Sequence, residues 1–448
     1  MRILLGLFPL IVVAQQFQLG QINERVTSPS NPKQQYALYV PSTYSAAKKY
    51  PVIFVFDPGA RALNAIELFR DGAEKYGYIV FCSWNSRNGA WDQTTAAMQT
   101  MWDDAVTRFS VDDRQLYTSG FSGGSRAALT FALASKVVAG VIVGGAGFAT
   151  PQPPPRVPFA AFITTSTEDF NWAEMQAVNR HLDKLKSAHR FTIVDGPHRW
   201  PPAATITQGM QWLRIQAMRS SFIPKDPQLI SAFTEERLAE IETLNGAPLT
   251  QLRAYQFLSD DLEGIADTTA WRAKADELRK SKPGKQAIKK ESDEEHTMSE
   301  MMREFDRLLQ AADAGQEGMA DARRWLQHQA QIANAAEDSP NRRMVRRVTT
   351  GLSAQIMEHR QQYEQQRKYD LLTRRLELAT ELSSGRMNSW VELAAVRWKM
   401  GNKKAAFEAL ERGVSKGALT KAALDRAASI DPLKTDPRYQ ELLKTLDR

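Results

Sequence analysis

At 448 residues the chain is too long for one compact core, and two or three domains are expected. Its 43% hydrophobic and 24% charged content excludes a collagen-like, multi-span membrane or wholly disordered protein. The net charge of +7 includes a second half whose basic residues are interleaved with acids, as on solvated helices; no recognisable nucleic-acid module accompanies them, and nucleic acid is not expected as a partner.

The chain opens with Met1-Arg2, an apolar run over 3–13, and Ala14-Gln15-Gln16. One positive charge, an apolar stretch shorter than the ~20 residues a bilayer needs, and a small residue at the boundary predict a signal peptide over 1–14. Export to the periplasm or full secretion follows, with no transmembrane span in the mature chain; an uncleaved anchor is the alternative. The single cysteine, Cys82, sits in the apolar run 78–82, which rules out intramolecular disulfides and reads as a small buried hydrophobe.

From 35 to 220 short apolar runs alternate with helical patterns. Strands are predicted over 35–40, 51–56, 78–82, 116–119, 140–143, 159–163 and 191–194. Helices are predicted over 62–76, 91–109, 124–136, 172–188 and 204–218. Strands this apolar, alternating with helices, mean an α/β fold: a parallel sheet with helices on both faces, whose chemistry belongs at the carboxyl ends of the strands. The segment 15–223 is therefore expected to be the catalytic domain.

Beyond 224 the pattern is helical only. A helical region is expected over 224–340, with an exposed linker near 280–295 where KSKPGKQAIKKESDEE is polar and charge-blocked. Over 341–448, Trp390, Leu393, Ala394, Gly401, Ala406, Leu410 and Gly413 fall close to tetratricopeptide (TPR) spacing. Tyr363, Leu376 and Ala379 form a weaker copy upstream. Two degenerate repeats cannot bury a core alone, so the preceding helices are expected to stack on them.

The run Gly120-Phe121-Ser122-Gly123-Gly124 lies between a predicted strand and a predicted helix, the context of a nucleophile elbow. The glycines permit the sharp turn, Ser122 is the candidate nucleophile, and the helix N-terminus favours a developing oxyanion. Of the six histidines, His296, His328 and His359 lie in the helical region; His181 falls inside a helix and His189 before the last strand. His198 follows that strand, at the edge where Ser122 is expected, and is the candidate base. The orienting carboxylate should follow strand 159–163, where Asp169 is preferred and Glu168 is the alternative. The order Ser122, Asp169, His198 is that of α/β-hydrolases. An oxyanion hole is expected from the N–H of Gly123 with that of Gly59 or Ala60, Pro58 having none. Asn85, Asn88, Trp172 and Trp200 are candidate substrate-binding residues, with an ordinary polar loop or packing as the alternative reading of each.

With these residues in view, 30–220 resembles the small α/β-hydrolases of the phospholipase/carboxylesterase and polyhydroxybutyrate-depolymerase-like group. The resemblance rests on DPGAR, GFSGG, STEDFN and DGPHRWPP. It implies an esterase with a catalytic triad, an acyl-enzyme intermediate, no metal and no diffusible cofactor. The C-terminal third resembles TPR proteins, which implies a surface for a protein or peptide partner. A serine peptidase of the same fold, or an idle hydrolase domain serving the helical half, are the competing readings.

Overall fold

In a computed structural model of the chain, residues 17–89, 91–382 and 389–446 are described; the expected signal peptide lies outside them. The first half builds β1 (Ile22–Thr27), β2 (Gln35–Tyr39), β3 (Tyr50–Phe56), α1 (Ala62–Ile66), α2 (Arg70–Tyr76), β4 (Ile79–Ser83), α3 (Trp91–Arg108), β5 (Val111–Phe121) and α4 (Gly123–Ser135). It continues through β6 (Val138–Gly144), β7 (Ala160–Glu168), α5 (Trp172–Leu185), β8 (His189–Pro197) and α6 (Ala203–Arg219).

The eight strands form one sheet in the order β1-β2-β4-β3-β5-β6-β7-β8. β4, β3, β5, β6 and β7 pair in parallel, while β1–β2 and β2–β4 are antiparallel. This is the α/β-hydrolase sheet. Its central strands are apolar on both sides because both faces are covered. Along β3, Val52, Phe54 and Phe56 join one core with Met98 and Met101 of α3 and Ala128 and Leu129 of α4. The alternating Ile53 and Val55 face a second core with Ala73 of α2 and Met210 and Trp212 of α6.

β1 was not expected from the sequence. Its INERVT buries only Val26, as suits an edge strand paired on one side, and its polar residues hide the alternation that would reveal it.

Helices follow: α7 (Pro227–Thr243), α8 (Pro248–Leu262), α9 (Thr269–Lys280), α10 (Lys282–Ala314), α11 (Gln316–Ala333), α12 (Pro340–Gln365), α13 (Tyr369–Leu382), α14 (Ser389–Lys399) and α15 (Lys403–Ser415), with shorter helices to Leu446. The chain divides into two compact units. The first takes the described residues of Met1–Thr164, Glu174–Thr192 and Trp200–Asp276; the second takes those of Thr165–Ala173, Ile193–Arg199 and Glu277–Arg448.

Two expectations are corrected by this division. α7 and α8 belong to the first unit, not to a helical region beginning at 224, because Phe233, Ile241, Leu258 and Leu262 enter the same core as Trp212. Nor is 280–295 a linker: it is the first half of α10, a 33-residue helix. Ser281 caps it by accepting from Gly284 N–H at 3.0 Å, and Pro283 sits in the first turn, where its missing N–H costs nothing. The charge blocks are the solvated side of a helix whose later turns bury Met298, Phe305, Leu308 and Leu309.

The second unit has its own core, which includes Phe305, Leu326, Leu352, Leu376, Trp390 and Leu410. In α14 and α15 the small residues permit close helix approach. A Cβ at Gly413 would stand 2.9 Å from the Trp390 ring. This packing is compatible with the TPR-like hairpin read from the spacing.

Candidate active site

Ser122 is the first residue after β5 and the N-cap of α4, at φ 54° and ψ −123°. Positive φ is strained for a residue with a Cβ, and such strain persists only where the surroundings hold it. Here they do. Ser122 N–H donates to Gly144 O of β6 at 2.8 Å, and Ser122 O accepts from Ser125 N–H at 2.9 Å. The flanking glycines are obligatory, since a Cβ on Gly120 would lie 2.1 Å from Gly124 O, and one on Gly124 would lie 2.0 Å from Phe56 O. Gly123 N–H belongs to the first turn of α4, whose N–H groups have no acceptor within the helix.

In the loop after β3, the two N–H groups expected to complete an oxyanion hole have acceptors within the loop itself. Gly59 N–H donates to Asp57 Oδ1 at 2.8 Å, and Ala60 N–H donates to Asp57 O at 3.1 Å, so both expected donors are already engaged. Asp57 is the hub of this turn. Its side chain also accepts from Arg61 N–H, from the Arg61 guanidinium at 2.9 and 3.0 Å, and from Trp200 Nε1 at 2.8 Å. Burial opposes its ionisation, but the hydrogen bonds from Arg61, Trp200 and Gly59 outweigh it and hold the carboxyl below its ordinary value. An Asp two residues before a glycine is an Asx-turn signal, so this role could have been read from DPG.

In the second unit, Asp169 is the first residue after β7 and His198 the first after β8. Asp169 Oδ1 lies 2.8 Å from His198 Nδ1 and accepts from Asn171 N–H at 2.8 Å; the Asp169 side chain is fully buried. Glu168, the alternative acid, is instead paired with Arg346 of α12 at 2.8 Å. The strand ends are tied by Thr167, whose hydroxyl donates to Asp195 Oδ1 at 2.8 Å and accepts from Gly196 N–H at 3.0 Å. Phe170 lies against the His198 ring, with centroids 4.2 Å apart. Thr167 and Phe170 lie inside STEDFN, where only the two acids were read as site residues, and Arg346 carries no motif.

The remaining candidates divide. Asn85 is structural: Oδ1 accepts from Gln35 N–H at 2.8 Å and Nδ2 donates to Lys33 O at 3.1 Å. Asn88 sits over the elbow, where a Cβ on Gly123 would come within 1.8 Å of Asn88 Oδ1. Trp172 is buried in the core of the second unit. Trp200 packs on Phe121 at 5.7 Å and edge-on to Phe69 at 6.1 Å, in the first unit. Each tryptophan thus has packing partners within its own unit.

The sequence matches no model of a known protein family, and it matches no curated protein. Solved structures similar to it include FphF, a fluorophosphonate-binding serine hydrolase of Staphylococcus aureus. That chain is 12% identical at a TM-score of 0.36, with 42% of this chain and 96% of the other covered. S-formylglutathione hydrolase (FrmB) of Staphylococcus aureus is 13% identical at a TM-score of 0.35, covering 42% and 94%. A ferulic acid esterase of Anaeromyces mucronatus is 16% identical at a TM-score of 0.32, covering 39% and 82%.

Proposed function

We propose that the protein is an exported serine esterase in which Ser122, His198 and Asp169 act as a triad. The observation that carries this reading is the Asp169–His198 pair, formed at the carboxyl ends of β7 and β8, together with an elbow serine at the end of β5.

In the reaction His198 Nε2 takes the proton of Ser122 Oγ as that oxygen bonds to the ester carbonyl carbon. Asp169 fixes the tautomer by accepting from Nδ1–H and stabilises the imidazolium. The carbonyl electron pair moves to an oxyanion held by Gly123 N–H and, in place of Gly59 or Ala60, by Asn88 Nδ2–H, once the amide turns that nitrogen inward in place of the Oδ1 that lies nearest Gly123. The oxyanion then collapses, the C–O bond to the alcohol breaks, and the imidazolium proton goes to the leaving oxygen. A water deprotonated by His198 attacks the acyl-Ser122 carbonyl, releasing the acid and restoring the serine.

The test is labelling with a fluorophosphonate probe. Wild type is expected to label and Ser122→Ala to stay blank; a folded wild type that does not label would overturn the reading. Turnover of short p-nitrophenyl esters against aminoacyl amides separates an esterase from a peptidase. Export is tested by fractionation and N-terminal sequencing, with a mature chain beginning at Gln15 expected. Among the described residues no helix is long and apolar enough to cross a membrane.

A further inference from the structure

The turn that carries Asp169 and the loop that carries His198 are held by one face of α12, more than 140 residues further along the chain. Arg343, Arg347 and Gly351 recur every four residues on that face, with Arg346 beside them. Arg347 Nε donates to Thr167 O at 2.6 Å, and its guanidinium lies 3.7 Å above the Trp172 ring, so it grips the acid turn on both sides of Asp169. Arg346 joins Glu168 at 2.8 Å to Ala333 O at the end of α11 at 2.6 Å. Arg343, paired with Asp338, lies 3.9 Å from Asp195 near the end of β8, three residues before His198. Gly351 faces Phe170, whose Cβ would be 3.6 Å from a Cβ at that position, an ordinary contact that only a longer side chain would exceed, and Phe170 stacks on His198.

We propose that Arg347 is a positioning residue of the hydrolase, and that α12, through Arg347, Arg346 and Gly351, sets the geometry of the Asp169–His198 pair. The inference rests on the triad reading given above. A guanidinium is suited to the task because its fixed fork can satisfy a carbonyl and cover an aromatic face at once. Burial lowers the Arg347 pKa to about 10, which leaves it charged at neutral pH. The helical unit is thereby part of the catalytic apparatus, whatever else its surface contacts.

The experiment uses the full chain. Arg347→Met, which keeps the aliphatic stem, is expected to lower kcat on a p-nitrophenyl ester by about 10–100-fold with KM within about twofold, as a sub-ångström displacement of the acid would. Proton NMR supplies a readout independent of turnover: the far-downfield His198 Nδ1 proton, assigned by its loss in His198→Ala, should weaken or move in Arg347→Met. Arg324→Met, at an exposed arginine paired with Asp321 in α11, should change neither. If Arg347→Met does not fold, Gly351→Leu replaces it: it adds helix propensity yet displaces Phe170, and the same two effects are expected. An active wild type whose variants keep kcat and the downfield proton would overturn the positioning role and leave the esterase reading intact. An inactive wild type whose downfield proton responds to Arg347→Met would overturn the esterase reading and uphold the positioning role.

Discussion

Asp169 Oδ1 stands 2.8 Å from His198 Nδ1, while the adjacent carboxylate, Glu168, is turned to Arg346. Two neighbouring acids therefore have separate tasks, and their conservative amides should separate in effect. Asp169→Asn presents an amide that can donate to Nδ1 and so favours the wrong tautomer; kcat should fall by about 10³–10⁴-fold. Glu168→Gln keeps a hydrogen-bond acceptor for Arg346 and should cost less than about 10-fold. Ester hydrolysis rates of the two variants check the ranking, and the reverse order would reassign the acid.

Ser122 supplies a second prediction. Its φ of 54° is a strain of about 1–3 kcal/mol that glycine does not incur. Ser122→Gly should therefore raise the midpoint of denaturant unfolding while abolishing fluorophosphonate labelling. A lower midpoint would mean that the hydroxyl stabilises the fold by more than the turn strains it.

The elbow and the Asp169–His198 pair were legible because glycine, serine and histidine at strand ends leave a local mark. Gly120 and Gly124 could be no other residue, and His198 could be chosen by the strand it follows. The hydrogen bonding of the loop after β3 was less legible for a physical reason: a backbone N–H is free only if nothing nearer accepts from it, and Asp57, two residues from Gly59, does so. Arg346 and Arg347 lay beyond reach, since in sequence they are two cations among many on a helix. Their partners Glu168, Thr167 and Trp172 are set by tertiary packing alone. The same limit applied to α10, where a capped, charged helix looks like a linker until its buried Met298 and Phe305 are seen.

Asp57 yields a pH-dependent prediction. Its folded carboxyl titrates below its ordinary value, so ionised Asp57 contributes stability that is full above the unfolded pKa of 3.8 and is lost as pH falls through the folded pKa. Asp57→Asn removes the charged acceptor shared by Arg61, Gly59 and Trp200 and should cost about 1.5–3 kcal/mol at pH 7. The gap between variant and wild type should narrow once the pH drops below about 4. Urea titrations at neutral and acid pH read it directly; a gap that stays constant would assign the loss to shape rather than charge.

The contact between Gly123 and Asn88 allows a double-mutant test of the proposed oxyanion site. A Cβ on Gly123 would lie 1.8 Å from Asn88 Oδ1 and 2.7 Å from its Cγ, too close for either side chain to stay where it is. Gly123→Ala should therefore lose both stability and activity, by displacing the Asn88 amide. Asn88→Ala alone should leave the fold within about 0.5 kcal/mol of wild type, as a surface change, yet lower kcat by about 10²–10³-fold if its amide binds the oxyanion. In the double variant the clash is gone, so stability should return to near that of Asn88→Ala while activity stays low. The coupling energies in stability and in catalysis are then both large: the clash exists only when both side chains are present, and a single missing donor accounts for both activity losses, which therefore do not add. Full activity in Asn88→Ala would remove Asn88 from the site and leave Gly123 N–H as the proposed donor.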